Sequence, residues 1–371
     1  MTIDELGYVG AFRLPAGEAN GEGFSFAGGP LAFNPHGNTL FAAARSGKIA
    51  EISVPDPVNS ADISALPFAK FVQPFADPTD GQMPAVGEGA NLAGLLVLKQ
   101  RLLGTGLIYY DANNTQDVSH FSRALTLSSK SATRFRRIGE KGRAGFVAGY
   151  LAEVPAEWQT ALGGPAITGQ CCIPIITRTS WGPAAFAWDP DRLLSDGDVD
   201  ATPLVYYDAD HRTLGQFEGS NPVFGGTTLV GGLALVGGTR TALFFGSNGT
   251  GEFCYGNGTA DKALVGKRGD DGSTYCYDPS SSDKGQHAYP YRYQMWAYDL
   301  AEWAQVRAKK RKPWDVKPYA VWAFELPIKE AGTRITGVAY DPARRRIFIA
   351  QRNADQDGFA FRSLIHVYQV S

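Results

Sequence analysis

Three arginines stand at comparable places in this chain, each closing an apolar run: Arg45 in FAAARSG, Arg178 in IITRTSW and Arg352 in IAQRNAD. Guanidinium groups brought to one place would hold a carboxylate, sulfate or phosphate through paired N–H donors. At the two equivalent places elsewhere the sequence offers Tyr110 with Asp111, and Ser247 with Asn248. Asp355 follows Arg352 closely. We take Arg45, Arg178, Arg352, Tyr110 and Asp355 as the candidate ligand-binding set. The competing reading is that each arginine pairs with a nearby carboxylate, namely Glu88, Glu252, Asp355 or Asp357. Carboxylates also open an enzymatic reading. Glycoside hydrolysis needs an acid and a base or nucleophile about 5–10 Å apart. Glu88 in GEGANLAG and Glu252 in GTGEFCYG are the candidates for that pair.

Other chemistries find no support. No GxSxG elbow is present for a serine nucleophile. GSNGTG at 246–251 lacks the Lys-Ser/Thr ending of a phosphate loop. His36, His120, His211, His287 and His366 are scattered and no CxxC occurs, so no metal site and no cofactor are expected. A calcium ion held by backbone oxygens would leave no trace in the sequence. That option stays open.

The four cysteines fall into two pairs. Cys171 and Cys172 are adjacent and are read as two small core residues at the start of an apolar strand. Cys254 in FCYG and Cys276 in YCYD sit in matching contexts inside a Gly- and Tyr-rich segment, 246–294. They are the candidate disulfide, which implies an oxidising environment if it forms. The same segment carries His287, read as a residue that fixes the loop. Its tyrosines would present flat faces for stacking on sugars or packing on protein. Residues Arg307 to Lys312 form a basic run, read as a solvated helix end.

The elements that must position these residues read as short strands. ITGVAYDPARRRIFIAQ near the end repeats GGPLAFNPHGNTLFAAA near the start, each a strand, a turn at Asn/Asp-Pro and a second strand. The chain begins with YVGAFRLP and ends with LIHVYQV. This arrangement is expected when a β-propeller completes its last blade with its N-terminal strand. The fold expected is therefore all-β, a single propeller domain over 1–371, five-bladed with six still open. The 246–294 segment is then an insertion in the fourth blade. In that geometry the loops after second strands converge on one face, which is why the arginines are grouped.

The 371 residues include 44 Gly and 22 Pro, with 12% aromatic and 19% charged residues, as suits many short strands and tight turns. A net charge of −2 provides no basic field for nucleic acid. No apolar run approaches a membrane span. The opening MTIDELGYVGAF has neither a basic n-region nor an apolar h-region, so no signal peptide is expected. The expectation is synthesis in the cytoplasm with association into a virion.

YVGAFRLP, FFGSNGTGEFCYG and the stretch from HAYPYRYQMWAYD to KPWDVKPYAVW resemble an uncharacterised family of propeller-like proteins found in bacterial and phage genomes. The resemblance covers most of the chain. It implies the fold and brings no established activity, so no functional residues carry over. Where that family has Arg-His after FFG, this chain has Ser247 and Asn248. The function expected is a non-catalytic binding or structural module, a component of a virion or other multi-protein particle. Its partners would be other protein subunits or a surface glycan, with no nucleic acid and no membrane. The alternative is a carbohydrate-active enzyme, glycosidase or lyase, on an acidic glycan.

Overall fold

The computed structural model describes residues 1–173, 178–219, 221–328 and 334–371. It is all-β, with few and short helices. Strand β1 (Leu6–Arg13) and a small hairpin, β2 (Glu18–Ala19) with β3 (Glu22–Gly23), precede the first large sheet. That sheet runs β4 (Leu31–Asn34), β5 (Thr39–Ala43), β6 (Ile49–Ser53) and β7 (Phe71–Ala76). The second has three strands, β8 (Ala90–Leu98), β9 (Arg101–Ile108) and β10 (His120–Ala124). Helix α1 (Ala144–Val147) leads to the third, made of β11 (Tyr150–Glu153), β12 (Ala166–Gly169), β13 (Ala185–Trp188) and β14 (Ala201–Val205). Helix α2 (Ala156–Leu162) lies between β11 and β12.

The fourth sheet begins with β15 (Leu229–Leu235) and β16 (Thr241–Gly249). An insertion follows with a sheet of its own, β17 (Cys254–Thr259), β18 (Tyr275–Tyr277) and β19 (Lys284–His287), in the order β18-β17-β19. The fourth sheet resumes with β20 (Tyr291–Asp299), helix α3 (Leu300–Arg307) and β21 (Ala320–Phe324). The fifth is β22 (Arg334–Asp341), β23 (Arg346–Asp357) and β24 (Ala360–Val370), with β1 as its outer strand. β1 pairs antiparallel with β24, from Leu6 opposite Val370 to Arg13 opposite Leu364. The two ends of the chain thus share one sheet, as the sequence suggested.

Strands such as TLFAA are buried at every position because both faces of each sheet are covered. Side chains alternate between the faces. Leu40 and Ala42 join an apolar cluster with Phe348 and Ile365 of the fifth sheet, whereas Phe41 and Ala43 join one with Leu95 and Leu102 of the second. Phe244 and Phe245 divide in the same way between the third and fifth sheets. The first strands pack in succession: β4 on β8, β8 on β11, β11 on β15, β15 on β22, and β22 on β4. They line a narrow apolar cavity of about 50 Å³, which receives Leu31, Leu95, Leu151, Leu233 and Val338.

Close approach of these strands depends on small residues. β8, β15 and β22 each carry a bulge, between Leu92 and Gly94, Val230 and Gly232, and Ile335 and Gly337. The recurring pattern LAGL, VGGL and ITGV is the signal of these bulges in the sequence. A Cβ added to Gly94 would lie 2.0 Å from the backbone oxygen of Gly149, which leads into β11 of the next sheet. Backbone cannot yield there as a flexible side chain could. Gly94→Ala is expected to lower stability by about 3 kcal/mol through overpacking. Urea unfolding would check it, and a loss under about 0.5 kcal/mol, the range of an ordinary surface change, would show that the sheets can part freely.

Two expectations need correction. CCIPIITRTSW was read as a strand of the third sheet, but the second strand there is β12, ending at Gly169. The described parts of that stretch, 171–173 and 178–181, form no strand, and residues 174–177 lie outside the described residues. Cys171 and Cys172, read as two core thiols, are bonded to each other as a vicinal disulfide, and both are buried. Cys254 and Cys276 are bonded as expected and close a loop with a sequence separation of 22. Helix α3 forms where Asp299 accepts a hydrogen bond from the Ala301 N–H, and it buries Leu300, Trp303 and Val306 on one side. Among the described residues no helix is long and apolar enough to cross a membrane.

Candidate functional site

The end of β5, the start of β8 and the middle of β23 meet around a cavity of about 200 Å³. Its walls include Phe26, Ala44, Arg45, Asn91, Leu92 and Arg352. Two of the three arginines grouped from the sequence therefore come together. A third arginine, Arg334, stands opposite Arg352 in the β22–β23 ladder. It was not among the candidates drawn from the sequence. Its signal was its place at the start of the strand that pairs with the Arg352 run.

The Arg352 side chain runs tightly over Gly28, where an added Cβ would meet its Cδ at 2.4 Å. Burial depresses the guanidinium pKa, and the charges of Arg334 and Arg45 depress it further. Its Nε is buried with no hydrogen-bond partner. The Arg45 guanidinium carbon lies 5.9 Å from the centre of the Phe26 ring. Among the described residues neither Arg45, Arg334 nor Arg352 forms an ion pair with a carboxylate. Two of the acids that were to neutralise them are engaged elsewhere. Asp355 is fully buried and accepts from Arg13 Nη2 at 2.8 Å and from Arg362 Nε at 3.1 Å. Asp357 accepts from Arg362 Nη2 at 3.1 Å. Arg352 is partly buried while Arg45 and Arg334 are exposed, and the like charges beside the buried guanidinium carry a free-energy cost that a bound anion would relieve.

Two tyrosines, Tyr109 and Tyr291, lie near Arg334. Burial raises the Tyr109 hydroxyl, with Arg334 pulling the other way. Tyr291 is raised by burial and by its bond to Asp278, again against the pull of Arg334. Tyr110 is 69% exposed, so its ring is free for contact. Tyr291 is held by the insertion. Its hydroxyl donates to Asp278 Oδ2 at 2.7 Å, and His287 Nδ1 meets the same oxygen at 2.8 Å. His287 Nε2 faces the carbonyl oxygens of Gly256 and Asp283 at 3.2 and 3.1 Å. Burial would raise the Asp278 carboxyl, but hydrogen bonds from His287, Ser280 and Tyr291 outweigh it and hold it low. His287 therefore fixes the insertion, whose strands β17 and β18 the Cys254–Cys276 bond also ties.

The other sequence candidates are placed apart from the cavity wall. Arg178 donates from Nη2 to the carbonyl oxygen of Ala112 at 3.1 Å. It sits beside Asp111, where burial is outweighed by hydrogen bonds from Thr115 and Gln116 and by the Arg178 charge. Glu88 and Glu252 are exposed, and neither lines the cavity. Ser247 and Asn248 are buried. Asn248 accepts from Thr228 Oγ1 at 2.6 Å and donates to Asn221 O at 2.9 Å, which is structural work. No group of three or more His, Cys, Asp or Glu side chains among the described residues is arranged to hold a metal.

The cluster can bind an anion next to a flat apolar surface. No protein-family model and no curated protein matches the sequence of the chain. In structure it is similar to a luciferin-regenerating enzyme, at 7% identity over 95% of this chain and 94% of that one, with a TM-score of 0.40. It is also similar to the tail fiber of Staphylococcus aureus phage P68, at 8% identity over 100% of this chain and 54% of that one, with a TM-score of 0.38. It thus spans about half the length of that tail-fiber chain. At these TM-scores neither likeness lends this chain an activity.

Proposed function

We propose that the protein is a non-catalytic binding module. Its five large sheets would be the blades of a five-bladed β-propeller, closed by β1 completing the sheet of β22 to β24. The reading is supported by the succession of first strands, which returns from β22 to β4, and by the cavity to which all five contribute. The working face carries the loops after the second strands, and its ligand is anionic. The observation that carries the ligand class is the convergence of Arg45, Arg334 and Arg352 without a carboxylate among the described residues.

The module fits a component of a virion or other multi-protein particle that displays this face toward a glycan. The exposed aromatic rings of Tyr110, Tyr255 and Phe359 are consistent with a surface made for contact. Recovery of the protein from its source solely as a free monomer would overturn the particle assignment.

Binding of the purified protein to acidic and neutral polysaccharides tests the ligand class. Retention on acidic polysaccharide is expected, with no new oligosaccharide in mass spectra. Arg352→Ala is expected to weaken retention about 10- to 100-fold, the worth of one charge-assisted contact. Equal retention of the variant would remove Arg352 from the site. Release of product would replace the non-catalytic reading by a glycosidase or lyase and send mutagenesis to Glu88 and Glu252.

A further inference from the structure

The composition of the cavity says more about the ligand than its charge does, provided that the cavity binds an anion as proposed for it. At about 200 Å³ the cavity is smaller than the sites of about 300 Å³ and more that enclose drug-sized molecules. One ring with its substituents fills it. The wall is divided. Arg45 and Arg352 supply charge, Asn91 supplies an amide, and Phe26, Ala44 and Leu92 supply an apolar surface. A bare sulfate or phosphate presents oxygen in every direction and is best served by donors all round, as in a nest of backbone N–H groups. Here half of such an ion would face carbon and lose its water without compensation.

Phe26 is the second, independent observation. Its φ is 56°, the left-handed region that bulky side chains seldom adopt. The conformation is held by the Phe26 N–H donating to the Phe361 carbonyl oxygen at 2.6 Å and by the Phe361 ring 5.7 Å away. The result is an aromatic ring whose centre lies 5.9 Å from the Arg45 guanidinium carbon, on a residue that stays 37% exposed. Backbone strain that holds an aromatic ring half open beside a charged cavity is the kind found at ligand sites. An aromatic face takes the C–H face of a sugar ring, while paired guanidinium N–H groups take a carboxylate in plane.

We infer that the cavity binds one carboxylated pyranose unit of a glycan, with its carboxylate on Arg45 and Arg352 and its apolar ring face on Phe26. Arg334, opposite Arg352 in the ladder and outside the cavity wall, adds positive charge close to Arg352. Ligands of this class comprise uronic and ulosonic acids.

Calorimetric titration of the full chain with a glucuronate-containing oligosaccharide, its neutral parent and inorganic sulfate tests this. The variant is Phe26→Asn, because asparagine accepts the left-handed backbone and removes only the ring. The glucuronate oligosaccharide is expected to bind, the neutral parent to bind at least tenfold more weakly, and sulfate to bind weakly. Phe26→Asn is expected to weaken the sugar acid about tenfold and leave sulfate unchanged. If sulfate binds as tightly as the sugar acid and Phe26→Asn alters neither, the sugar assignment is overturned and anion binding stands. If the neutral parent matches the acid, or no anion binds, the anion-binding reading falls as well.

Discussion

Arg123→Met is expected to lower the unfolding free energy by about 3–5 kcal/mol, the cost of leaving the partners of a buried charge without it. Arg123 is fully buried in β10. Its Nη1 donates to Asp77 O at 3.0 Å, and its Nη2 to Thr126 O, Leu127 O and Ser129 O at 3.2, 3.0 and 2.8 Å. Asp80 stands 3.7 Å away and itself accepts from the N–H groups of Ser131 and Ala132. Burial lowers the guanidinium pKa, opposed by the charges of Asp80 and Asp77.

These contacts explain why the second sheet has three strands where the other large sheets have four. The chain after β10 turns its carbonyl oxygens toward Arg123 and not toward a strand ladder. A single bridge, His120 with Arg136, is what remains of a fourth strand. Methionine fills much of the same volume but donates nothing, so five carbonyl oxygens, those four and that of Ala124, lose a donor. Arg123→Lys, with three donors on a single ammonium nitrogen, is expected to lose less than the methionine variant. Denaturant unfolding of both variants checks the order. If both fall within about 1 kcal/mol of the parent, an ordinary hydrogen bond's worth, the loop is held by something else.

Much of the architecture was legible because apolar runs such as TLFAA and RIFIAQ are buried on both faces, and such runs need no particular register to be recognised as strands. The Asn/Asp-Pro turns then placed the hairpins at both ends of the chain. The third sheet was less legible. AITG, its second strand, has only four residues, so the longer apolar CCIPIITRTSW beside it looked the better strand, although Gly163-Gly164-Pro165 marks the turn into AITG. The vicinal Cys171–Cys172 bond and the left-handed φ of 69° at Cys172 break the chain there. Of the arginines, Arg45 and Arg352 were legible from their place after second strands. Arg334 was not, because its relation to Arg352 is across a ladder, and Phe26 was not, because a strained backbone leaves no mark in residue type. Arg178 shares the local pattern of the other two but finds an acidic neighbour in Asp111.

Acid is expected to destabilise the protein well above the range in which its carboxylates titrate. His120 and His366 are both buried, and burial lowers the pKa of each to about 3. Their partners fix the neutral form. Thr168 gives its hydroxyl hydrogen to Val147 O and so accepts from His120 Nε2, while Ser119 Oγ lies 2.8 Å from His120 Nδ1. His366 Nε2 lies 2.8 Å from Gln351 Oε1, and Tyr8 OH lies 3.0 Å from His366 Nδ1. In the unfolded chain each imidazole takes a proton below about pH 6.5. In the folded chain each refuses it until about pH 3. The unfolded state therefore binds more protons throughout that window, and stability falls as pH falls. At pH 5 the loss is about 2 kcal/mol per histidine relative to neutral pH. Carboxylates held low, such as Asp111 and Asp117, act the same way but only below their unfolded pKa of about 4. Loss between pH 6.5 and 5 thus belongs to the histidines. Thermal unfolding across that range is expected to show a steep fall in Tm, and His366→Gln, whatever its own cost, is expected to remove about half of the slope. A Tm that stays level from pH 7 to pH 5 would mean that the two sites admit a proton or water, and with that the tight packing of β1 on β24 and of β10 against the third sheet would have to be given up.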